Sequence, residues 1–195
     1  MQLSLRLSAI AGLVTRGNRL VDVGCDHGYL PVSLYLDGRI PGAIAMDVRK
    51  GPLSRARMGG PLMERILTDG AEVRESFQEM ILQPQSDIPH FRRFISEIGW
   101  KIVDEEMVLE DGKFYPMMKV IHGEKKHISA DEPYTLEEWF GGMLLERKHP
   151  ILKEYLEREL RIRNEILDKL KNAPNAEKRA GEIEEEKQAV IAALK

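Results

Sequence analysis

The run Arg19 to Pro31, RLVDVGCDHGYLP, leaves few folds open to this chain. Apolar Leu20, Val21 and Val23 lead into a glycine-bearing turn, and a helix-compatible stretch, Tyr29 to Leu36, follows it. Strand, tight turn and helix in that order open a nucleotide-binding α/β unit, whose turn amides and helix N-terminus hold the polar end of a cofactor. The glycines are spaced D-x-G-x-x-x-G (Asp22, Gly24, Gly28), and Asp26 stands where the usual G-x-G-x-G has its middle glycine. A carboxylate there repels a diphosphate and accepts a cofactor with a cationic or amino-acid end.

A second landmark agrees. Ala43 to Val48 (AIAMDV) reads as another buried strand, with Asp47 at its carboxyl end, 19 residues beyond Gly28. An acidic residue about 20 positions after the glycine turn is placed to accept hydrogen bonds from a ribose diol. Together Asp26 and Asp47 favour S-adenosylmethionine (SAM) over NAD. The plainer reading leaves Gly24 and Gly28 as turn formers and Asp47 as a loop cap.

The rest of the chain alternates less regularly than a doubly wound sheet requires. Met1 to Val14 carries apolar residues at Leu3, Leu7, Ile10, Ala11 and Val14, the spacing of an amphipathic helix. Pro61 to Leu67 reads as a short helix, Met80-Ile81-Leu82 as a strand, and Ile88 to Ile98 as a helix. Two short runs, Trp100 to Val103 and Met107 to Leu109, then lead through Glu110-Asp111-Gly112-Lys113 into Phe114 to Val120. An Asp-Gly turn between such runs predicts a hairpin, expected as an antiparallel edge on the sheet. Between Asp47 and Ile81 no β-branched apolar run appears. Either Ile81-Leu82 closes up beside the first strand or that edge stays open.

After Pro133 the chain becomes charged and helix-favouring, broken only at Gly141-Gly142, at Pro150 and at the turn 172–175. Apolar positions on each side of that turn predict an antiparallel helical hairpin. We therefore expect a Rossmann-like α/β domain over 1–133 and a coiled-coil-like helical domain over 134–195.

Composition excludes more than it assigns. With a net charge of -3 the chain has no global basic field, so nucleic acid contact must come from local patches. One cysteine, Cys25, excludes an internal disulfide and reads as a small apolar filler. With no apolar run near 18 residues, no membrane span is expected, and a cytoplasmic protein is. His90, His122, His127 and His149 are too dispersed for a metal site. Oligomeric state is not encoded in any recognisable pattern.

CDHGYLP, GAIAMDVRKGPLSRA, MGGPLMERIL, ILQPQSDI and DEEMVLEDGKFYPMMKV together resemble the bacterial tRNA (adenine-22-N1)-methyltransferases over nearly the whole chain. That resemblance implies a SAM-dependent domain followed by a helical domain that grips tRNA, with methyl transfer to N1 of an adenine. It also exposes an internal deletion between Arg57 and Met58, where the family has further helical turns, a third strand, a helix and most of a fourth strand. Met58-Gly59-Gly60 matches the end of a family Gly-Met-Gly-Gly turn, with bulky Arg57 in place of the first glycine.

The site expected on this basis has three parts. Asp22, Gly24, Cys25, Gly28, Tyr29, Asp47, Met58 and Gly59 contact the cofactor. Asp26 sits at the methyl-transfer centre, where a carboxylate stabilises the charge of a methylated ring or binds the cofactor ammonium; as a plain Asx residue it would only brace the turn. For substrate, His27 orients Asp26, touches the base or is an ordinary loop residue. Gln83-Pro84 presents an amide to the base edge or simply ends a strand. Arg158, Arg161 and Lys169 reach phosphates according to the resemblance, whereas charge spacing alone reads as a solvated helix face. The alternative to an enzyme is a degenerate relative that binds tRNA or protein; a methyltransferase acting on a small molecule is a third possibility.

Overall fold

The computed structural model describes residues 2–25, 27–46, 59–171 and 176–195. Asp26, Asp47, Met58, the Arg57 junction and the turn 172–175 lie outside the described residues.

The N-terminal part follows the expected order. Helix α1 (Leu5–Leu13) starts at Ser4, whose Oγ accepts a hydrogen bond from the Leu7 amide. Strand β1 (Leu20–Val23), helix α2 (Tyr29–Leu36) and strand β2 (Ala43–Met46) follow. β1 and β2 pair in parallel, Leu20 opposite Ala43 and Val23 opposite Met46, so their carboxyl ends stop level. Ala11, Val14, Leu30, Leu34 and Ile40 bury between α1 and α2.

Helices α3 (Gly60–Asp69) and α4 (Ala71–Arg74) lead to β3 (Glu79–Leu82), then α5 (Ile88–Glu97), β4 (Trp100–Glu110) and β5 (Lys113–His122). The hairpin is present, but it pairs with β3 in a separate antiparallel sheet of order β3-β5-β4. It does not extend the parallel pair. Of the two outcomes left open, the described residues show the unclosed one: β2 is the one strand hydrogen-bonded to β1, and Ile81 meets Leu20 only through the α1 core. Among the described residues no strand lies between β2 and β3, and β3 satisfies its backbone on the nearby hairpin instead. Apolar Ile44, Met46, Val32, Tyr35 and Leu36 face solvent.

β4 runs through the acidic interval that separates its two apolar runs in the sequence, with a bulge between Ile102 and Asp104. It can do so because Glu105 points inward onto Arg92 of α5, and both side chains are buried. The core beneath this sheet joins Phe91, Ile95, Trp100, Met118 and Val120.

The remaining helices break where the glycines and proline demand: α6 (Leu136–Phe140), α7 (Gly142–Glu146), α8 (Pro150–Leu170) and α9 (Glu177–Ala193). α6 opens on a full capping box between Thr135 and Glu138. Leu144, Leu152, Leu156 and Val190 share one core with Met107 of β4 and Phe114 of β5. The helices are therefore seated on the hairpin tip.

Candidate active site

The turn after β1 is fastened to β2 before it meets anything else. The Gly24 and Cys25 amides donate to the Met46 carbonyl at 2.8 and 3.2 Å, which folds the turn across the end of β2, directly before position 47. Gly24 (φ 78°) and Gly28 (φ 65°) occupy the left-handed region, where a Cβ is strained. His27, with φ 59°, adopts that conformation without being glycine, and its ring lies 5.7 Å from that of Tyr29. Gly28 caps α2 with no side-chain hydrogen bond. Among the described residues no side chain caps the first amides of α2, the arrangement that receives an anionic group.

Asp22, one residue before the end of β1, is half-buried. Burial pushes its carboxyl above the ordinary range, and the positive charge of Arg6 on α1 partly opposes that shift. Arg6 also joins Asp22 to a second candidate: its Nη1 donates to Gln83 Oε1 at 3.0 Å. The Arg6 backbone amide donates to Glu110 Oε1 at 3.2 Å, and its guanidinium lies 5.6 Å from the Tyr115 ring centre. Nothing in the sequence singled out Arg6. The available signal was a cation set between Leu5 and Leu7 of an otherwise apolar helix face.

Pro84 is fully buried behind Gln83. Two residues further on, the chain meets Gly59 and Gly60: the Gly60 amide donates to the Ser86 carbonyl at 3.0 Å. A Cβ on Gly60 would lie 2.8 Å from that carbonyl oxygen, and one on Gly59 would strike Ser86 Oγ. These glycines permit a close backbone approach, and Gly59 meets the loop after β3.

Arg158 and Arg161 line a shallow cavity of about 290 Å³ with Leu109, Gly112, Phe114, Glu154 and Glu157. Arg158 stacks 5.6 Å over Phe114. Because side chains alternate along a strand, Phe114 and Tyr115 face opposite sides of β5. The hairpin tip thus carries Arg158 on one face and Arg6 on the other. Lys169 lies near the far end of α8, about three turns from Arg158 and within roughly 20° of it around the helix.

Among the described residues, no cluster of three metal-ligating side chains occurs, and no helix is long and apolar enough to cross a membrane.

Comparison with known proteins gives consistent results. A family model described as tRNA (adenine(22)-N(1))-methyltransferase matches residues 55–192, and a general methyltransferase domain model matches residues 3–58. The two matches meet at the Arg57–Met58 junction. A Bacillus subtilis tRNA (adenine(22)-N(1))-methyltransferase is 23% identical over 220 residues, covering 95% of this chain and 92% of that protein. That span exceeds the 195 residues present here, so the relative carries positions without a counterpart. Among solved structures, a Streptococcus pneumoniae protein assigned as a tRNA (m1A22) methyltransferase is 27% identical, with a TM-score of 0.86 and full coverage of both chains. Its complex with S-adenosyl-L-methionine is 26% identical, with a TM-score of 0.80 and full coverage of both chains.

Proposed function

This chain belongs to the tRNA (adenine(22)-N(1))-methyltransferase family, and from that premise we propose how its residues divide the work. The activity is SAM-dependent methylation of N1 of an adenine in tRNA, on a Rossmann-like fold. The observation that carries the reading is the β1 turn, folded over the end of β2 beside the N-terminus of α2, where Gly28 supplies no capping side chain.

That arrangement fits SAM: exposed helix amides suit an amino-acid carboxylate, and a half-buried carboxylate suits a cationic group. Asp22, Gly24, Cys25, Gly28, Tyr29, Asp47, Met58 and Gly59 form the cofactor side. Bound there, SAM supplies an electrophilic sulfonium methyl group. Asp26 stands at the transfer centre, where its carboxylate stabilises the positive charge that the ring gains. His27, Gln83 and Pro84 position the base, which must leave its stack because N1 lies on the Watson-Crick edge. Arg158, Arg161 and Lys169 hold phosphates from the helical side. We assign 1–133 to methyl transfer and 134–195 to RNA grip, and place the protein with its tRNA in the cytoplasm.

Labelled methyl transfer from SAM to an unmodified tRNA transcript tests this, with reverse-transcription arrest locating the methylated adenine. One arrest site is expected, lost in Asp26→Ala. A chain that binds SAM by calorimetry but never labels tRNA would overturn the reading.

A further inference from the structure

We propose that Arg6 is a positioning residue that fixes the carboxamide of Gln83 with its NH2 group toward the ligand, so that Gln83 serves as a hydrogen-bond donor. The proposal deepens the activity described above and rests on it.

The geometry leaves one orientation. Guanidinium carries five N–H donors and no acceptor, so whichever end of the Gln83 amide meets Arg6 must be its oxygen. That contact is Nη1 to Oε1 at 3.0 Å. A flipped amide would set two donors against each other. Nε2 is then turned away from Arg6, and it is buried with no hydrogen-bond partner among the described residues. A buried, unpartnered donor is costly unless another acceptor reaches it. Arg6 is itself held on three sides, by the Glu110 carboxylate at its backbone, the Tyr115 ring beneath it and the Asp22 charge nearby. It can therefore impose an orientation on Gln83 and not merely follow it. Adenine offers acceptors at its ring nitrogens and donors at its amino group. A donor at Gln83 discriminates between the two.

The decisive variant is Gln83→Glu. Its carboxylate pairs with Arg6 at least as well as the amide, so the fold should melt no lower. Yet it presents no donor, and kcat/KM for tRNA methylation should fall roughly tenfold to a hundredfold. Arg6→Met should lose about tenfold and Arg6→Lys should recover most of it. Arg6→Met combined with Gln83→Ala should be no worse than Gln83→Ala alone. Side-chain nitrogen relaxation of Gln83 gives a readout independent of activity: Nε2 should be rigid in the parent and in Arg6→Lys, and mobile in Arg6→Met. Wild-type turnover by Gln83→Glu, multiplying losses in the double variant, or unchanged Nε2 mobility in Arg6→Met would each overturn the proposal. A parent chain that fails to methylate any tRNA would sink the activity assignment, while the relaxation comparison would still decide the role of Arg6.

Discussion

Arg92 and Glu105 meet at 2.9 Å with side-chain exposures of 3% and 1%, an ion pair wholly inside the protein. Each has further partners. Arg92 Nη1 donates to the Glu138 and Trp139 carbonyls, both at 3.1 Å, and Glu105 Oε2 accepts from the Met143 amide at 3.1 Å. α5, β4, α6 and α7 are joined through this one pair, and the helices that follow residue 134 are held against the sheet by it.

Removing one partner should cost far more than removing both. Arg92→Met leaves a buried carboxylate and should lower unfolding stability by about 3–5 kcal/mol, whereas adding Glu105→Leu should restore most of the loss. Urea denaturation of both variants checks this. A double variant as unstable as the single one would show that the pair contributes more than mutual neutralisation.

Gly141 should tolerate no side chain. Its φ is 93°, and a Cβ there would come within 2.5 Å of Glu105 Oε1. Gly141→Ala should therefore cost roughly 1–3 kcal/mol from backbone strain alone, with the contact adding to it. Thermal melting measures the loss; Gly181→Ala, where a Cβ meets nothing within 4 Å, is the control.

A second joint, between α5 and α6, is acid-labile. Arg93 grips Glu138 at 2.8 Å, and this hydrogen bond holds the Glu138 carboxyl below its ordinary 4.5. A carboxylate whose folded pKa is depressed contributes stability that is complete above the unfolded value and vanishes as pH falls through the folded one. Glu138→Gln should thus lose stability at pH 7, by about 1–3 kcal/mol for a charge-assisted bond, and approach the parent as pH falls below 4.5 and through the folded pKa. Melting curves across that range decide it.

Asp22 should behave in the opposite sense. Burial raises its folded pKa above 3.8, so the folded state holds its proton longer and stability falls as pH rises through that interval. Asp22→Asn should melt higher than the cofactor-free parent at pH 7, by roughly 2–4 °C per kcal/mol relieved. SAM affinity should nevertheless drop about tenfold, the worth of one charged hydrogen bond. Calorimetry at pH 7 reads the affinity.

Neutralising Arg158 and Arg161 to Gln should weaken tRNA binding uniformly across sequences. If both touch phosphates, the slope of log affinity against log salt should become shallower by about 1–2. Filter binding at several salt concentrations supplies that slope. An unchanged slope would remove these arginines from the RNA surface.

Much of this was legible from local pattern. RLVDVGCDHGYLP predicted a strand, a tight glycine-bearing turn and a helix because each choice is made by neighbours in the chain, and the structure has β1, Gly24 and Gly28 at positive φ, and α2. Gly141-Gly142 and Pro150 marked helix ends for the same reason. The acidic interval 104–106 misled, because its interruption of an apolar run is undone only by a partner thirteen residues upstream, Arg92.

What the amino-acid order determined alone was the set of elements and the chemistry each carries: a carboxylate-bearing turn, an Asp-Gly hairpin and two charged helices. Tertiary structure decided the pairings. It set the hairpin on β3 instead of the parallel pair, Gly59 and Gly60 against Ser86, and Arg6 between Asp22 and Gln83. Periodicity reports which face of an element is apolar, but the partner of a buried charge or an unpaired strand edge is chosen by whatever the fold brings within reach.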